Sequence, residues 1–258
     1  MKLYIVSLPI GNLKDITLRA IENLKKVDFI ICEDTRYSLK LLNHYNIKKP
    51  LISFYKPVEN KKTDNILKRL EKENAALISD SGTPLISDPG NSLVKEAIKK
   101  GIEIEAIPGP TAFVPALVLS GLDTDRFLFY GFLPKKKNEI YKILEKLKSI
   151  NYTIIFYESP KRIEKTLNYI LDVFGNRKFS ISKELTKKNE KTIRGELKHK
   201  EILVQETILG EMVIIIQGNK SKKNISKSIN TIDELLFVLK QDYNISKNKL
   251  KELLYKKD

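Results

Sequence analysis

Short apolar segments alternate with helix-like segments along the first half of the chain. Ile16, Ala20, Ile21 and Leu24 recur with the period of a helix, and Asp15 before them is an expected N-cap. Strands that alternate with helices indicate a parallel or mostly parallel sheet. The segments rich in β-branched residues predict strands: LYIVSL (3–8), VDFIICE (27–33), LISF (51–54), ALISD (76–80) and IEIEAI (102–107).

The pattern changes in the second half, after a break near residues 118–126. Helical segments over 140–147 and 160–175 separate strands that become more closely spaced, which favours antiparallel or mixed pairing. We therefore predict an α/β domain over 1–118, a second α/β domain over 119–218, and a basic linker with a short helical appendage over 219–258. The predicted strands of this half are RFLFYGFL (126–133), YTIIFYES (152–159), KFSISKEL (178–185), KTIRGEL (191–197) and EMVIIIQG (211–218).

The charge of the chain allows a polyanionic partner but does not require one. The formal net charge is +15, which suits RNA, yet a lysine-rich composition of this kind is also typical of proteins from AT-rich genomes. The first apolar run ends before Pro9 and is too short for a signal peptide or a membrane span. Cys32, the single cysteine, cannot form an internal disulfide. We expect a cytoplasmic protein that does not bind a membrane.

Several common chemistries lack their sequence motifs. The chain contains no G-x-G-x-x-G, no G-x-x-x-x-G-K-[ST] and no G-x-S-x-G, so a dinucleotide fold, a P-loop and a serine hydrolase are not supported. His44 and His199 have no partners at metal-ligand spacing, so we predict no metal site.

Three loops rich in Gly and Pro follow predicted strands, at 8–12, 79–90 and 107–112. Each could be an ordinary tight turn. In an α/β sheet, however, ligands bind outside the carboxyl ends of the strands, so the three loops together predict one ligand-binding crevice. Glycine there lets backbone groups approach a ligand closely, and Asp80 could accept hydrogen bonds.

Charged residues follow strands in both halves. Arg36, in CEDTRYS, has a guanidinium suited to phosphate, while Asp34 before it could simply cap the next helix. FYESPKR (156–162) and SKELTKK (182–188) have the same form. Surface charge at a strand end is the simpler explanation for Lys187, and it is a weaker one for Glu184.

These motifs, taken in order, resemble one family. PIGNLKDITLRA, EDTR, SDSGTPLISDPG, PGPTA, DRFLFYGFLP, FYESPKR, KELTK and GEMVIII recur over residues 2–218. They resemble the bacterial small-subunit ribosomal RNA (cytidine-2'-O)-methyltransferase I family of the tetrapyrrole methylase superfamily. The resemblance implies two α/β domains of the tetrapyrrole methylase type with S-adenosylmethionine (AdoMet) in the cleft between them. It also implies a homodimer and methylation of a cytidine ribose 2'-hydroxyl in small-subunit (16S) RNA, free or assembled.

The resemblance also suggests functional residues. We expect Glu184, and after it Glu33, to remove or orient the hydroxyl proton, and we expect Arg36, Arg162 and Lys187 to contact RNA. Lys183 stands where arginine would be expected in this family. The residues expected around the cofactor are Pro9, Asp80, Gly82, Thr83, Pro84, Thr111, Ala112, Tyr157 and Lys183.

Two alternatives remain open from the sequence. A methylase of the same superfamily could act on a tetrapyrrole or another small molecule, although the basic chain and the EDTR and KELTK segments favour RNA. A non-enzymatic RNA-binding protein that has lost the cofactor is the second alternative, and the intact Gly and Pro loops argue against it.

Overall fold

The structure, a computed structural model, describes residues 1–56, 59–200 and 210–220, and of residues 59–61 the backbone alone. Its first sheet is fully parallel, with strand order β3-β2-β4-β1-β5. The strands are β1 (Lys2–Val6), β2 (Phe29–Cys32), β3 (Leu51–Ser53), β4 (Ala75–Leu77) and β5 (Glu103–Ile107). The helices between them are α1 (Leu18–Lys26), α2 (Thr35–His44), α3 (Glu59–Leu70) and α4 (Asn91–Lys99).

Helices cover both faces of this sheet. One apolar cluster joins α1 and α2 to strand residues such as Val6 and Ile30, and a second joins α3 and α4 to residues such as Leu3 and Phe29. Neighbouring positions of a strand therefore face two different cores. This explains why the interior strands β2 and β4 read as continuous apolar runs, whereas the edge strand β5 alternates and has Glu103 exposed.

The start of α1 differs from the sequence prediction. Thr17, not Asp15, is the N-cap, and its hydroxyl accepts a hydrogen bond from Ala20 N at 3.1 Å. Asp15 instead ends a 3₁₀ helix over Leu13–Asp15, whose N-cap is Asn12. The predicted cap at Asp34 is confirmed, because its carboxylate accepts from Arg36 N at 2.8 Å at the start of α2.

The second sheet is mixed, with strand order β6-β7-β10-β8-β9. Strands β6 and β7 are parallel, whereas β10 pairs with β7 and β8, and β8 with β9, in antiparallel fashion. The strands are β6 (Phe127–Phe132), β7 (Thr153–Glu158), β8 (Lys178–Lys183), β9 (Lys191–Glu196) and β10 (Met212–Ile216). The helices of this half are α5 (Phe113–Ser120), α6 (Lys137–Leu147) and α7 (Ile163–Phe174).

Helices α6 and α7 cover one face of the second sheet, and α5 packs on the other face through Ala116 and Leu117 against Ile155 and Val213. The prediction of two α/β domains is thus confirmed, and together they form one compact unit over Met1–Asn219. The domain limits at 118 and 218 stay predictions. Residues 221–258, which carry the predicted helical appendage, lie outside the described part of the chain. None of the helices described has the length and apolar character needed to cross a membrane.

Candidate active site

A cavity lies where the carboxyl ends of β1, β4 and β5 face the second sheet. The three Gly and Pro loops line one side of it, and the ends of β6, β7, β8 and β10 line the other. The first side consists of Ile10, Ser81, Gly82, Thr83, Ile86, Ser87, Asp88, Thr111 and Ala112. The second side consists of Phe132, Tyr157, Glu184, Leu185, Lys187, Glu211, Met212 and Val213.

Direct hydrogen bonds hold the three loops together. Leu8 N donates to Gly82 O at 2.8 Å, and Gly82 N donates to Leu8 O at 3.0 Å, which forms a short antiparallel bridge. The hydroxyl of Thr83 lies 3.0 Å from the Ser7 hydroxyl and 3.1 Å from Pro110 O, to which it donates. Gly82 has a φ of +74°, a conformation in which a side chain is strained. The glycine is therefore required by the turn itself.

Four residues other than glycine have left-handed backbone near the cavity. Leu85 and Ser87 have φ values of 73° and 70°, and Glu184 and Thr186 have values of 50° and 65°. Such conformations cost roughly 1–3 kcal/mol each and persist only where the surroundings enforce them. Their grouping on two loops that meet at one cavity makes this region the candidate functional site.

The first loop and the segment after β8 touch each other beside the cavity. Asn12 N donates to the Thr186 hydroxyl at 3.0 Å. A Cβ on Gly11 would lie 2.8 Å from Leu185 O and 2.6 Å from Lys187 Cγ, so only glycine fits without movement. The Lys187 ammonium is ion-paired with Glu184 at 2.9 Å. This contact between the two halves closes one border of the cavity, and we call it the clasp.

Tyr157 provides an aromatic wall on the second side. Its ring packs edge-on against Phe129 and Phe132, with centroids 4.9 and 5.5 Å away. Burial raises the pKa of its phenol, an effect that hydrogen bonds with the Thr111 side chain and the Phe113 backbone partly oppose. The phenol therefore stays neutral and links the wall to the third loop.

Three carboxylates and one ammonium group line the cavity. Burial raises the pKa of Asp88 to about 6, and the charges of Glu211 and Asp80 add to the rise, whereas a hydrogen bond with Ser79 opposes it. Glu184 is paired with Lys187, and Glu211 is exposed. The cavity is thus acidic although the chain as a whole carries a charge of +15.

Comparisons with known proteins show which family the chain belongs to. Residues 2–201 match the family described as Tetrapyrrole (Corrin/Porphyrin) Methylases. The chain belongs to this methylase family. A relative from Halalkalibacterium halodurans, named Ribosomal RNA small subunit methyltransferase I, is 48% identical over 85% of this chain and 77% of its own. A relative of the same name from Rickettsia prowazekii is 42% identical over 99% of this chain and 90% of its own.

Among solved structures, a diphthine synthase has the same fold. It superposes with a TM-score of 0.66 at 13% identity and covers 84% of this chain and 90% of its own. At this identity the likeness concerns the fold alone. Together with the family match over residues 2–201, it confirms the tetrapyrrole methylase fold for the two α/β domains.

A second cavity adjoins the first in this methylase, at the carboxyl ends of β2 and β3. Asp34 N donates to Asp80 Oδ1 at 3.2 Å across it. Burial raises the pKa of both Glu33 and Asp80, whereas hydrogen bonds from Arg36 lower the pKa of Asp34 to about 2. The lining residues are Glu33, Asp34, Thr35, Arg36, Ser53, Tyr55 and Asp80.

The structure distributes the predicted site residues over these two cavities. The first is lined by Gly82, Thr83, Thr111, Ala112, Tyr157, Glu184 and Lys187. The second is lined by Glu33, Arg36 and Asp80, so the loop after β4 contributes to both. Pro9, Pro84 and Lys183 are neighbours of lining residues without lining either cavity. The roles assigned to all of these residues stay predictions.

Two residues of the FYESPKR segment have internal partners. Glu158 is 1% exposed and accepts hydrogen bonds from Thr166 Oγ1 at 2.6 Å and Ser159 N at 2.7 Å. Arg162 donates to Leu133 O and Pro134 O at 3.0 and 2.8 Å and lies 3.4 Å from Glu158. These contacts favour a structural role for both side chains.

Asp88 and Glu211 were missed by the sequence reasoning. Asp88 belongs to the quoted SDPG stretch, but nothing in the sequence separates it from a turn aspartate. Glu211 precedes β10 and comes to the cavity only because β10 pairs between β7 and β8. Within the described residues, no group of three His, Cys, Asp or Glu side chains is arranged to hold a metal ion.

Proposed function

We propose that this protein is an AdoMet-dependent methyltransferase that methylates the ribose 2'-oxygen of a cytidine in small-subunit (16S) ribosomal RNA. The observation that carries the proposal is a cavity lined by all three Gly and Pro loops in a chain of the methylase family. The name of the relatives supports the choice of RNA, because it refers to small-subunit ribosomal RNA. The similarity to these relatives covers 85% and 99% of this chain. The cytidine and its 2'-oxygen come from the sequence resemblance.

The residues of the cavity fit AdoMet, which combines a flat aromatic base, a ribose and a charged methionine end. Ile10, Ile86, Phe132 and Met212 line the cavity with apolar side chains, and Thr83 and Thr111 line it with side chains that carry a hydroxyl. The close backbone approach at Gly82 gives a ligand access to main-chain donors and acceptors. The excess of carboxylates suits the positive charges of the cofactor.

When bound, AdoMet supplies a methyl group on a positively charged sulfur, which is already a good leaving group. The chain has to align the ribose oxygen with that methyl group and to accept the hydroxyl proton. Glu184 is our candidate for this role because it lines the cavity from the second sheet, with its side chain 21% exposed. Glu33 is the second candidate, although it lines the neighbouring cavity.

We further propose that RNA reaches the site over Arg36 and Lys187. The Arg36 side chain is 88% exposed, and Lys187 stands at the clasp. Both lie beside the cavities, where a phosphate backbone would pass if a nucleotide entered. Such a substrate would place the protein in the cytoplasm.

A homodimer is also part of the proposal. Val114 and Val118 on α5 are 45% and 71% exposed, and Phe127 at the start of β6 is 43% exposed. A second copy could cover these apolar side chains. Sedimentation equilibrium of the full chain at micromolar concentration tests this, and a monomer mass at every concentration would contradict it.

The test of the proposed function is methyl transfer to defined RNA. The purified chain would be incubated with labelled AdoMet and either free 16S RNA or assembled small subunits from cells that lack the protein. Digestion to nucleosides and mass spectrometry should place the label on the ribose of one cytidine. Label on a base, or transfer only to a tetrapyrrole offered in parallel, would contradict the proposal.

A further inference from the structure

Asp88 lies at the border of the two sides of the main cavity. It follows Ser87, whose φ of 70° turns the chain, and it precedes Pro89 and Gly90, the N-cap of α4. A Cβ on Gly131 of β6 would come within 2.9 Å of the Ser87 hydroxyl, so the loop is pressed against the second sheet. Loop and sheet thus hold this half-buried carboxylate at the cavity.

Asp88 differs in its surroundings from the other two carboxylates of the cavity. Glu184 has Lys187 as a counter-ion at 2.9 Å, and Glu211 is exposed to solvent. A half-buried carboxylate has lost part of its hydration, which makes its attraction for a nearby cation stronger than that of an exposed one. Of the three, Asp88 is the one best placed to select a ligand by its charge.

We infer that Asp88 is a specificity residue, whose negative charge makes the cavity prefer a methyl donor with a cationic sulfur over its neutral thioether product. This inference rests on the proposed function, because it assumes AdoMet as the donor and S-adenosylhomocysteine as the product. The two molecules share the base, the ribose and the amino acid end, and they differ in the methyl group and the sulfur's charge. Preference for the donor limits inhibition by the product.

The charge of Asp88 is set by all the ionisable groups around it. Burial and the charges of Glu211 and Asp80 raise the pKa of Asp88, whereas a hydrogen bond with Ser79 and the ammonium of Lys56 lower it. Burial raises the pKa of Glu33 and of Tyr157, and the charge of Asp88 adds to both rises. The remaining charged residues at the cavity are Glu184 and Lys187. Because the pKa of Asp88 is raised to about 6, its charge is present above that pH and is lost below it.

Calorimetric titration of the full chain with AdoMet and with S-adenosylhomocysteine tests the inference. Asp88→Asn should weaken AdoMet binding about tenfold, the effect of one partly screened charge, and change S-adenosylhomocysteine binding less than twofold. Sinefungin carries an amine in place of the methylated sulfur, so Asp88→Asn should weaken its binding as much as that of AdoMet. Asp64→Asn, which removes the same charge from an exposed position of α3, should change neither affinity.

Measuring both affinities of the unmodified chain over a series of pH values gives a second test that needs no variant. AdoMet affinity should fall as the pH drops from 7.5 to 5, while S-adenosylhomocysteine affinity should change much less. If Asp88→Asn lowered the affinity for both ligands equally, or if both affinities changed with pH in parallel, the inference would be overturned and the proposed function would stand. Failure of both ligands to bind the unmodified chain would overturn the proposed cofactor and the inference with it. Melting temperatures at pH 8 show whether the variant is folded.

Discussion

At the scale of single residues, carboxylates that follow strands in similar sequence segments have different surroundings. Glu158 in FYESPKR is buried and accepts hydrogen bonds from Thr166 and Ser159, which fixes the turn into α7. Glu184 in KELTK has a φ of 50° and pairs with Lys187 at the cavity. A side chain on Gly210 would collide with the Glu184 carboxylate, so this glycine makes room for it. The two segments are similar in sequence, but of the two glutamates Glu158 is buried and Glu184 lines the cavity.

The role of Glu184 can be separated from a structural one by single-turnover kinetics. If its carboxylate accepts or orients the ribose proton, Glu184→Gln should lower the rate of methyl transfer roughly a hundredfold and leave AdoMet affinity within a fewfold. Glu33→Gln is the matched change on the second cavity and should lower the rate less than threefold. A loss confined to Glu33→Gln would assign the proton to the other cavity. Melting curves are the control, because loss of a structural contact costs about 1–2 kcal/mol.

At the scale of elements, the strands of both sheets and their order along the chain were predictable. The first sheet has helices on both faces, so its interior strands β2 and β4 are apolar throughout, and they are easily told from the polar loops. Helix α5 was missed because FVPALVLS is apolar on all sides and contains Pro115 in its first turn, which hides the helical period. The residues at the carboxyl ends of the strands were predictable from the Gly and Pro loops.

The sequence could not predict which distant residues come together at the cavities. Glu211 and Met212 reach the cavity because β10, the last strand of its sheet along the chain, lies at the centre of that sheet. Burial raises the pKa of Asp88, and the charge of Glu211, which is distant in sequence, adds to the rise. Likewise, the separation of Asp80 from Thr83 into two cavities depends on side-chain directions within one loop. These properties arise from tertiary packing, which local sequence patterns do not encode.

The clasp gives a prediction about these two loops. In Gly11→Ala the new methyl group would press on Leu185 O and Thr186 Oγ1, which lie 2.8 and 2.9 Å from its position. The backbone oxygen cannot rotate away, so the loops must separate and AdoMet affinity should fall about tenfold, as for a small displacement of a binding loop. Calorimetry measures the affinity.

A second variant tests which contact of the clasp matters. Lys187→Ala in the Gly11→Ala background removes the third close atom, Lys187 Cγ at 2.6 Å, but leaves the backbone contact. It should therefore restore little of the affinity. Full recovery would mean that the clash is with the flexible lysine alone, and an affinity unchanged in Gly11→Ala would mean that the clasp does not shape the cavity.

At the scale of the whole molecule, the chain carries a net positive charge, whereas acidic side chains outnumber basic ones in two cavities. The net charge is +15, yet the first cavity has three carboxylates and one ammonium, and the second has Glu33, Asp34 and Asp80 beside one arginine. A long polyanion would be attracted to the exterior and repelled from the cavities. A single nucleoside of the polyanion, or a cationic cofactor, could enter them.

Methyl transfer to RNA should accordingly fall steeply as salt is added, because each phosphate contact releases a counterion on binding. Arg36→Ala should lower the slope of log affinity against log salt by about one unit and weaken binding to all RNA sequences alike.

Arg162→Ala provides the contrast, since the guanidinium of Arg162 is held by Leu133 O and Pro134 O. That change should lower the melting temperature and leave the salt slope of the folded fraction unchanged. AdoMet affinity, measured at the same salt concentrations, should vary far less than RNA affinity. A flat salt response in the unmodified chain would point to a small-molecule substrate, and a slope lowered equally by both variants would give Arg162 a phosphate contact that its internal hydrogen bonds argue against.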